Sequence, residues 1–195
     1  MIVIYPVGKI NDYLQLGEEY PHLPIPQECP SCGEEGKLVR IGYYERWVCM
    51  KSGEFKVRIG RVLCKHCRTS HAMLPACLLP KRQSTAEVVA TFLHSRVIEG
   101  ETLNKAMETA TDQEPSRQKG SEWIKSMVSK LPQIIHFLAK RFERFKASED
   151  PPPRVKGLKK LHMLLDMMFQ GWEQVCDALS FYSSHFLREM KESLI

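Results

Sequence analysis

The chain has 195 residues, 43% of them hydrophobic, and its formal net charge is +5 at neutral pH. This length allows one large domain or two small ones, and the ordinary apolar share allows a packed core and does not indicate wholesale disorder. No apolar run approaches the roughly 20 residues that a membrane-spanning helix needs, so we expect no membrane partner.

The first residues predict a short strand, "MIVIY", and they lack the basic segment and long apolar stretch of a secretory signal peptide. We therefore expect a cytoplasmic protein, able to associate with the nucleoid, in which thiols stay reduced. Under those conditions the seven cysteines, an odd number, are interpreted as metal ligands or core residues before disulfide partners. A proline-broken loop, "PHLPIPQECP", leads to the first cysteine.

Two Cys-x-x-Cys pairs form the strongest motif of the chain. The pairs are Cys29 with Cys32 and Cys64 with Cys67, and 31 residues separate them. Each pair fits a tight turn that presents two thiolates to one ion, and four thiolates complete a closed tetrahedral Zn²⁺ site that is structural and not catalytic. The segments "KLVRIGYYERWVC" and "EFKVRIGRVLC" between the pairs have strand patterns around a turn in "MKSGE". The spacing therefore predicts a zinc ribbon, in which two knuckles clamp the ends of a β-hairpin.

Other cysteines and histidines compete for the ligand positions. Cys49 ends a predicted strand and Cys77 lies in the apolar run "MLPACLLP", so we expect both in the core. His66 lies within the second knuckle, and His71 is expected to be a bystander as well, although its imidazole could replace one thiolate. Iron can bind to the same four thiolates. A redox role for either Cys-x-x-Cys pair would require a thioredoxin-like βαβ unit, which the surrounding segments do not predict. Zn²⁺ is the favoured metal.

The pattern becomes helical after "LLPKRQ". Ser84 and Glu87 fit a capping box at the start of a first helix, and a second, short helix covers 101–110. A third helix over 115–131 has a regular apolar stripe, and Pro132 either kinks it or ends it before a further helical segment. The stripe consists of Trp123, Ile124, Met127, Val128 and Leu131.

The polarity of these three helices is typical of a helix-turn-helix. The first two are acidic overall and the third is basic, as expected when a recognition helix enters the major groove and the others pack behind it. Gln pairs with adenine, and Arg or Lys with guanine or phosphate. An ordinary helical bundle with a basic surface is the alternative, and Gly120 is unusual in a recognition helix. The predicted DNA contacts are Lys81, Arg82, Arg117, Gln118, Lys119, Ser121 and Lys125.

The positive charge is concentrated in two segments. Residues 29–82 carry eleven Lys or Arg against four Glu, and residues 115–146 carry eight against two acidic residues. Such segments indicate a polyanion partner, since neutralised phosphates provide most of the non-specific affinity for nucleic acid. Solvated faces that keep the protein in solution are the alternative explanation.

Four stretches carry a resemblance to known proteins: "CPSCG", "LVRIGYYERWV", "VRIGRVLCKHCRTSHAMLPACLLPKRQSTAEVV" and "SRQKGSEWIKSMVSKL". The chain resembles the zinc-ribbon plus helix-turn-helix amino-terminal region of bacterial insertion-sequence transposases and a related stand-alone bacterial family of unknown function. Leu74-Pro75, Leu79-Pro80 and Lys81-Arg82 stand where those proteins have a Leu-Pro and a basic dipeptide. Over roughly residues 29–145, the resemblance implies binding to mobile-element DNA ends or to an operator.

The chain departs from a full transposase after this region. A transposase catalytic domain needs a long α/β segment with three acidic residues that hold two metal ions. About 45 residues follow residue 150, their pattern is helical, and no strand is predicted among them. We therefore expect a non-enzymatic protein without catalytic residues.

The C-terminal segment follows a predicted linker, "EDPPPR". Its apolar residues recur at heptad-like spacings of four and three, and Gly171 marks a candidate bend between two helices. A homodimer formed through residues 158–190 would place two DNA-binding modules on paired half-sites, whereas packing on its own domain is the alternative. The seam consists of Leu161, Leu165, Met168, Trp172, Val175, Leu179, Tyr182 and Phe186.

Together these patterns predict an α+β protein with three parts. They are a zinc-ribbon β domain over 1–82, a helix-turn-helix domain over 83–150 and a C-terminal helical segment over 151–195. We expect it to bind Zn²⁺ and duplex DNA. The second hypothesis is an adaptor or inhibitor that docks on a transposase or another nucleic-acid machine, because zinc ribbons serve both roles.

A third hypothesis is RNA binding through the hairpin. Tyr43, Tyr44 and Trp47 offer aromatic faces that can stack on unpaired bases. Against it, we expect at least two of these three side chains to pack inside the hairpin.

Overall fold

The computed structural model describes residues 2–5, 10–16, 24–113, 117–143, 145, 157–173 and 175–190. The chain divides into two compact units: Met1–Cys49 with Glu54–Thr85, and Met50–Gly53 with Ala86–Ile195. The fold is α+β as predicted, because the strands lie in the N-terminal part and helices follow. The three-part division stays a prediction, and the linker "EDPPPR" lies outside the described residues.

The first unit is built on one sheet with the strand order β1–β4–β3–β2. The elements are β1 Ile2–Tyr5, helix α1 Ile10–Leu16, β2 Leu38–Met50, β3 Gly53–Cys64 and β4 Ser70–Pro75. Strand β4 runs parallel to β1 and antiparallel to β3, with Gly60 opposite Met73 and Leu63 opposite Ser70. The predicted N-terminal strand and hairpin are confirmed, whereas the sequence pattern did not predict α1 or β4.

The hairpin of β2 and β3 buries one face. Val48, Val57 and Ile59 are fully buried in the core, as expected for β-branched side chains that alternate along a half-buried strand. Helix α1 closes this core: Tyr13 is buried, and its hydroxyl donates to the carbonyl oxygen of Arg58 at 2.7 Å.

The expectation that most hairpin aromatics pack inside is wrong. Tyr43, Tyr44 and Trp47 are all exposed. The interior of the hairpin is filled instead by aliphatic side chains, including Val57 and Ile59.

The second unit consists mainly of helices. They are α2 Ala86–Leu93, continued by a π-helical turn His94–Ile98, then α3 Leu103–Ala110, α4 Arg117–Arg141, α5 Gly157–Phe169 and α6 Val175–Met190. Helix α2 packs against α3, α4 and α6, while α5 packs against α4 and α6. Among the described residues, no helix has both the length and the apolar character needed to cross a lipid bilayer.

The predicted capping box at Ser84 does not form. Ser84 instead makes a β-bridge with Cys49, flanked by hydrogen bonds from the Cys49 N–H to the Gln83 carbonyl and from the Thr85 N–H to the Cys49 carbonyl. The buried Ser84 Oγ has no hydrogen-bond partner within the described part of the chain. Backbone pairing with β2 thus replaces capping, and α2 begins only at Ala86.

Helix α4 is continuous through Pro132. Its packing explains why a glycine, Gly120, stands near its start. A Cβ at Gly120 would lie 2.8 Å from two ring atoms of Phe92 and 3.2 Å from the Met107 Sδ. Any larger side chain would therefore have to displace the buried Phe92 ring and the Met107 side chain. Gly120 belongs to the buried face of α4 with Trp123, Met127 and Leu131, whereas Ile124 and Val128 of the predicted stripe are half-buried.

The C-terminal segment forms the predicted bend between two helices. Gly171 has a φ of +80°, which is favourable only for glycine, in the turn between α5 and α6. Six seam residues are buried within the unit: Leu161, Leu165, Met168, Leu179, Tyr182 and Phe186. A homodimer through residues 158–190 stays a prediction, and it would have to use exposed side chains such as Leu158, Met163 and Phe181.

Candidate metal centre

Two similar turns present the four cysteines of the motif. In each turn the residue after the second cysteine donates its N–H to the carbonyl of the first: Gly33 to Cys29 at 2.8 Å, and Arg68 to Cys64 at 2.9 Å. Both donors have left-handed backbone, with φ of +75° at Gly33 and +60° at Arg68. Glycine adopts this conformation without strain, whereas another residue pays about 1–2 kcal/mol for it. The backbone of Arg68 in the second turn is therefore strained.

The hairpin brings these turns together. The first turn lies just before Leu38, where β2 starts, and the second begins at Cys64, where β3 ends. The Lys65 N–H donates to the Lys37 carbonyl at 2.8 Å, which joins the second turn to the segment that follows the first. The unusually long gap between the cysteine pairs is therefore the length of two paired strands.

The thiol geometry fits a tetrahedral metal ion. The Sγ atoms of Cys29, Cys32, Cys64 and Cys67 all lie within 4.8 Å of one another. The Cys29–Cys67 distance is 3.7 Å and the Cys32–Cys64 distance is 3.8 Å. A tetrahedral Zn²⁺ ion with Zn–S bonds of about 2.3 Å requires sulfur atoms about 3.8 Å apart. The structure thus confirms the predicted grouping, and the four cysteines are placed to bind a metal ion.

The surroundings shift the pKa values of two of the four thiols in opposite directions. Hydrogen bonds with the side chain and backbone of Thr69 lower the pKa of Cys67 to about 6. A backbone hydrogen bond with Glu34 also lowers the pKa of Cys32, but desolvation and the three neighbouring thiols raise it to about 12. The surroundings therefore favour the thiolate at Cys67 and the neutral thiol at Cys32, whereas a metal ion would deprotonate every thiol that coordinates it.

Cys49 and Cys77 are core residues, as predicted. Both are buried, and the Cys49 thiol donates to the Glu54 Oε1 at 3.0 Å. Burial raises the pKa of Cys77 to about 12, which keeps it a neutral thiol. Neither belongs to the metal-binding cluster, and the side chain of Cys176 lies outside the described residues.

His71 contacts the cluster, although sequence reasoning treated it as a bystander. It is buried on β4, and its Nε2 lies 3.5 Å from the Cys29 Sγ. Burial lowers the pKa of His71, so the ring is neutral and carries one N–H. Nδ1 has no hydrogen-bond partner among the described residues, so a proton on Nδ1 would be a buried N–H without an acceptor. A proton on Nε2 instead faces the Cys29 sulfur, and this tautomer leaves no buried donor unpaired. The sequence did not predict this contact because it did not predict β4, whose pairing with β3 places His71 beside the cysteines.

We expect replacement of His71 by phenylalanine to weaken metal binding about 10-fold, within the range seen when a hydrogen-bonding neighbour of a ligand is lost. Phenylalanine keeps a ring in the buried site but removes the N–H that faces the Cys29 sulfur. Competition with a chromophoric chelator measures the affinity. His66→Phe is the matched control, because His66 is exposed in the second turn. Equal affinities of the two variants would contradict a role for the His71 contact.

The predicted DNA contacts divide between the two units. Lys81 and Arg82 lie in the first unit, where Lys81 is exposed with a φ of +59°. The other five, Arg117, Gln118, Lys119, Ser121 and Lys125, lie on α4 in the second unit. Of these, Arg117, Gln118 and Lys125 are exposed, and Lys119 and Ser121 are half-exposed. Contact of any of them with DNA stays a prediction.

Residues 29–113 match the model of a family described as a domain of unknown function (DUF6431). The match begins at the first cysteine of the cluster and ends beyond α3, so it covers the metal centre and less than half of the chain. No curated protein and no solved structure matches the chain. The comparisons do not link the chain to transposases, and that resemblance stays a prediction.

Proposed function

We propose that this chain is a non-enzymatic, zinc-stabilised protein that binds duplex DNA through α4. The polarity of α4 supports this best. Its buried face, marked by Gly120, Trp123 and Met127, packs within the second unit. Gln118 and Lys125 are exposed on the opposite face. Arg117 is exposed at the start of the helix, the part of a recognition helix that contacts base edges.

Zn²⁺ is the proposed metal because four thiolates at tetrahedral spacing are its usual structural ligand set. When bound, it would supply positive charge that keeps the four thiolates together. Cys29, Cys32, Cys64 and Cys67 would use all four positions, which leaves none for a substrate. The proposal places the chain in a reducing compartment, where these thiols remain available to a metal.

Helix α4 would enter the major groove, with α2 and α3 behind it. Gln118 matches the donor and acceptor pattern of adenine, and Arg117 and Lys125 can contact guanine or phosphate. The Gln118 Nε2 donates to the Glu122 Oε1 at 3.1 Å, and base contact would replace this hydrogen bond. The transposase resemblance suggests the duplex ends of a mobile element as the target.

The salt dependence of duplex binding tests the proposal. Lys125→Ala should reduce the slope of log affinity against log salt by about one unit, because one phosphate contact releases about one counterion. Lys159→Ala is the matched control, since Lys159 is exposed on α5. Anisotropy titrations with random duplex DNA at several salt concentrations measure the slope. Affinity that is insensitive to salt, or equal slopes for both variants, would refute duplex binding by α4.

A protein partner is the second candidate function. Leu158, Met163 and Phe181 are large apolar side chains exposed on α5 and α6, which favours an adaptor or inhibitor that docks on a transposase or another nucleic-acid machine. Such a protein would not need duplex DNA. The titration above therefore separates the two candidates.

A further inference from the structure

A row of exposed side chains runs along one face of β2. Tyr43 and Trp47 are 47% and 53% exposed, and Glu45 between them is exposed as well. Side chains two and four residues apart in a strand point to the same face, so Tyr43 and Trp47 share a surface, whereas Val48, the residue after Trp47, faces the core. Tyr43 and Trp47 lie about 13 Å apart along the strand at about 3.3 Å per residue.

Basic side chains from β3 lie on the same surface. The Arg58 guanidinium carbon is 4.9 Å from the centre of the Tyr43 ring. Lys56 and Arg58 both contact Glu45, at 2.7 Å and 3.9 Å, and Glu45 alternates with Tyr43 and Trp47 in β2. We call this surface the hairpin face; it consists of Tyr43, Glu45, Trp47, Lys56 and Arg58.

We propose that the hairpin face binds single-stranded nucleic acid, with unpaired bases stacked on Tyr43 and Trp47. Stacking on aromatic rings is strong and tolerant of sequence, because every base has a flat π-face. Bases in a duplex are already stacked on one another, so a row of exposed rings on a sheet matches an unpaired strand better than a duplex. This surface lies in the first unit, whereas α4 lies in the second, and the inference goes beyond the proposed duplex binding.

The charge of the surrounding segment favours a polyanion over a protein partner. Residues 29–82 carry eleven Lys or Arg against four Glu. On the hairpin face itself, Lys56 and Arg58 are about half exposed in their ion pairs with Glu45. Exposed pairs of this kind contribute little stability, so both cations can exchange Glu45 for phosphate at small cost. Aromatic rings would then hold the bases while the cations hold the backbone.

Binding of labelled oligonucleotides to the full, metal-loaded chain tests the inference. We use oligo(dT) and oligo(rU) of about 15 nucleotides, near the upper site size of a small single-strand-binding domain. Tyr43→Ala and Trp47→Ala should each weaken binding at least about fivefold, as expected when one stacked base is lost. Tyr44→Ala is the matched control. Tyr44 is 37% exposed, but as the neighbour of Tyr43 in the strand it lies on the opposite face of the hairpin. It should leave affinity nearly unchanged.

Several outcomes would overturn the inference. They are a failure to bind either oligonucleotide, an effect of Tyr44→Ala equal to that of Tyr43→Ala, and equally tight binding of poly-glutamate, which would indicate simple charge attraction or a protein partner. Preference for oligo(dT) or for oligo(rU) identifies the natural strand, and either supports stacking. If Trp47→Ala lowers the metal content, Trp47→Phe must preserve binding, because it keeps a ring. A parallel titration of the Lys125→Ala variant with duplex DNA tests α4 separately, so the two proposals can fail independently.

Discussion

Replacing Cys64 by alanine should abolish stoichiometric metal binding and unfold the first unit. Cys64 is fully buried, ends β3 and supplies one of the four sulfur atoms. Structural Zn²⁺ contributes on the order of 10 kcal/mol or more to small metal-dependent folds. Whole domains are stable by only about 5–15 kcal/mol. The loss of the ion therefore removes a free energy comparable to the total stability of the unit.

Cys77→Ala is the matched control for this experiment. Cys77 is also a buried thiol of the first unit, but it lies outside the metal-binding cluster. Removing its sulfur leaves a small cavity, which costs roughly 1–2 kcal/mol, and metal content should stay at one ion per chain. Elemental analysis of the two purified variants reports the difference directly.

Hydrogen exchange locates the effect within the chain. Removal of the metal by a chelator should raise amide exchange across residues 29–80, where the two turns and the strands between them lose their tether. The backbone hydrogen bonds of α2 to α4 should keep their protection, because these helices belong to the second unit. Unchanged protection of residues 29–80 after complete metal removal would contradict a structural role for the site.

The metal centre was predictable because its signal is local. Each pair of thiolates is set by one four-residue turn, and the number of residues between the pairs matches two strands. His71 was not predictable in the same way, since its approach to Cys29 depends on β4. That strand pairs with β3 and β1, but it is only six residues long, ends at Pro75 and has no clear alternation of polar and apolar residues.

The helices show the same division between local and tertiary signals. Their positions follow from apolar periodicity, and α3 lies close to its predicted range, whereas α4 continues through Pro132 to Arg141, ten residues beyond the predicted end. Ser84 has the residue type of a helix cap, yet a backbone bridge to Cys49 overrides that preference. Gly120 looked unfavourable by helix propensity alone, and only the packing of α4 against Phe92 explains it.

Trp123→Ala should destabilise the second unit by about 3–5 kcal/mol, the usual cost of emptying a buried tryptophan site. Trp123 is 2% exposed, and its ring meets that of Phe92 edge to face, with centroids 5.3 Å apart. Gly120, one turn earlier, lets α4 approach α2 closely. The ring therefore fills the space that this approach creates, and alanine would leave it empty.

Guanidinium titrations followed by far-ultraviolet circular dichroism measure this loss, because the helical signal comes mainly from the second unit. Ile124→Ala is the control: Ile124 is the next residue on α4 but only half-buried, so its loss should cost roughly 1 kcal/mol. A cycle with Phe92→Leu should show a coupling of about 1 kcal/mol, as for other edge-to-face pairs. Equal costs at Trp123 and Ile124 would mean that α4 is not anchored by its buried face. The exposed face of α4 would then lack the fixed orientation that the proposed DNA contact requires.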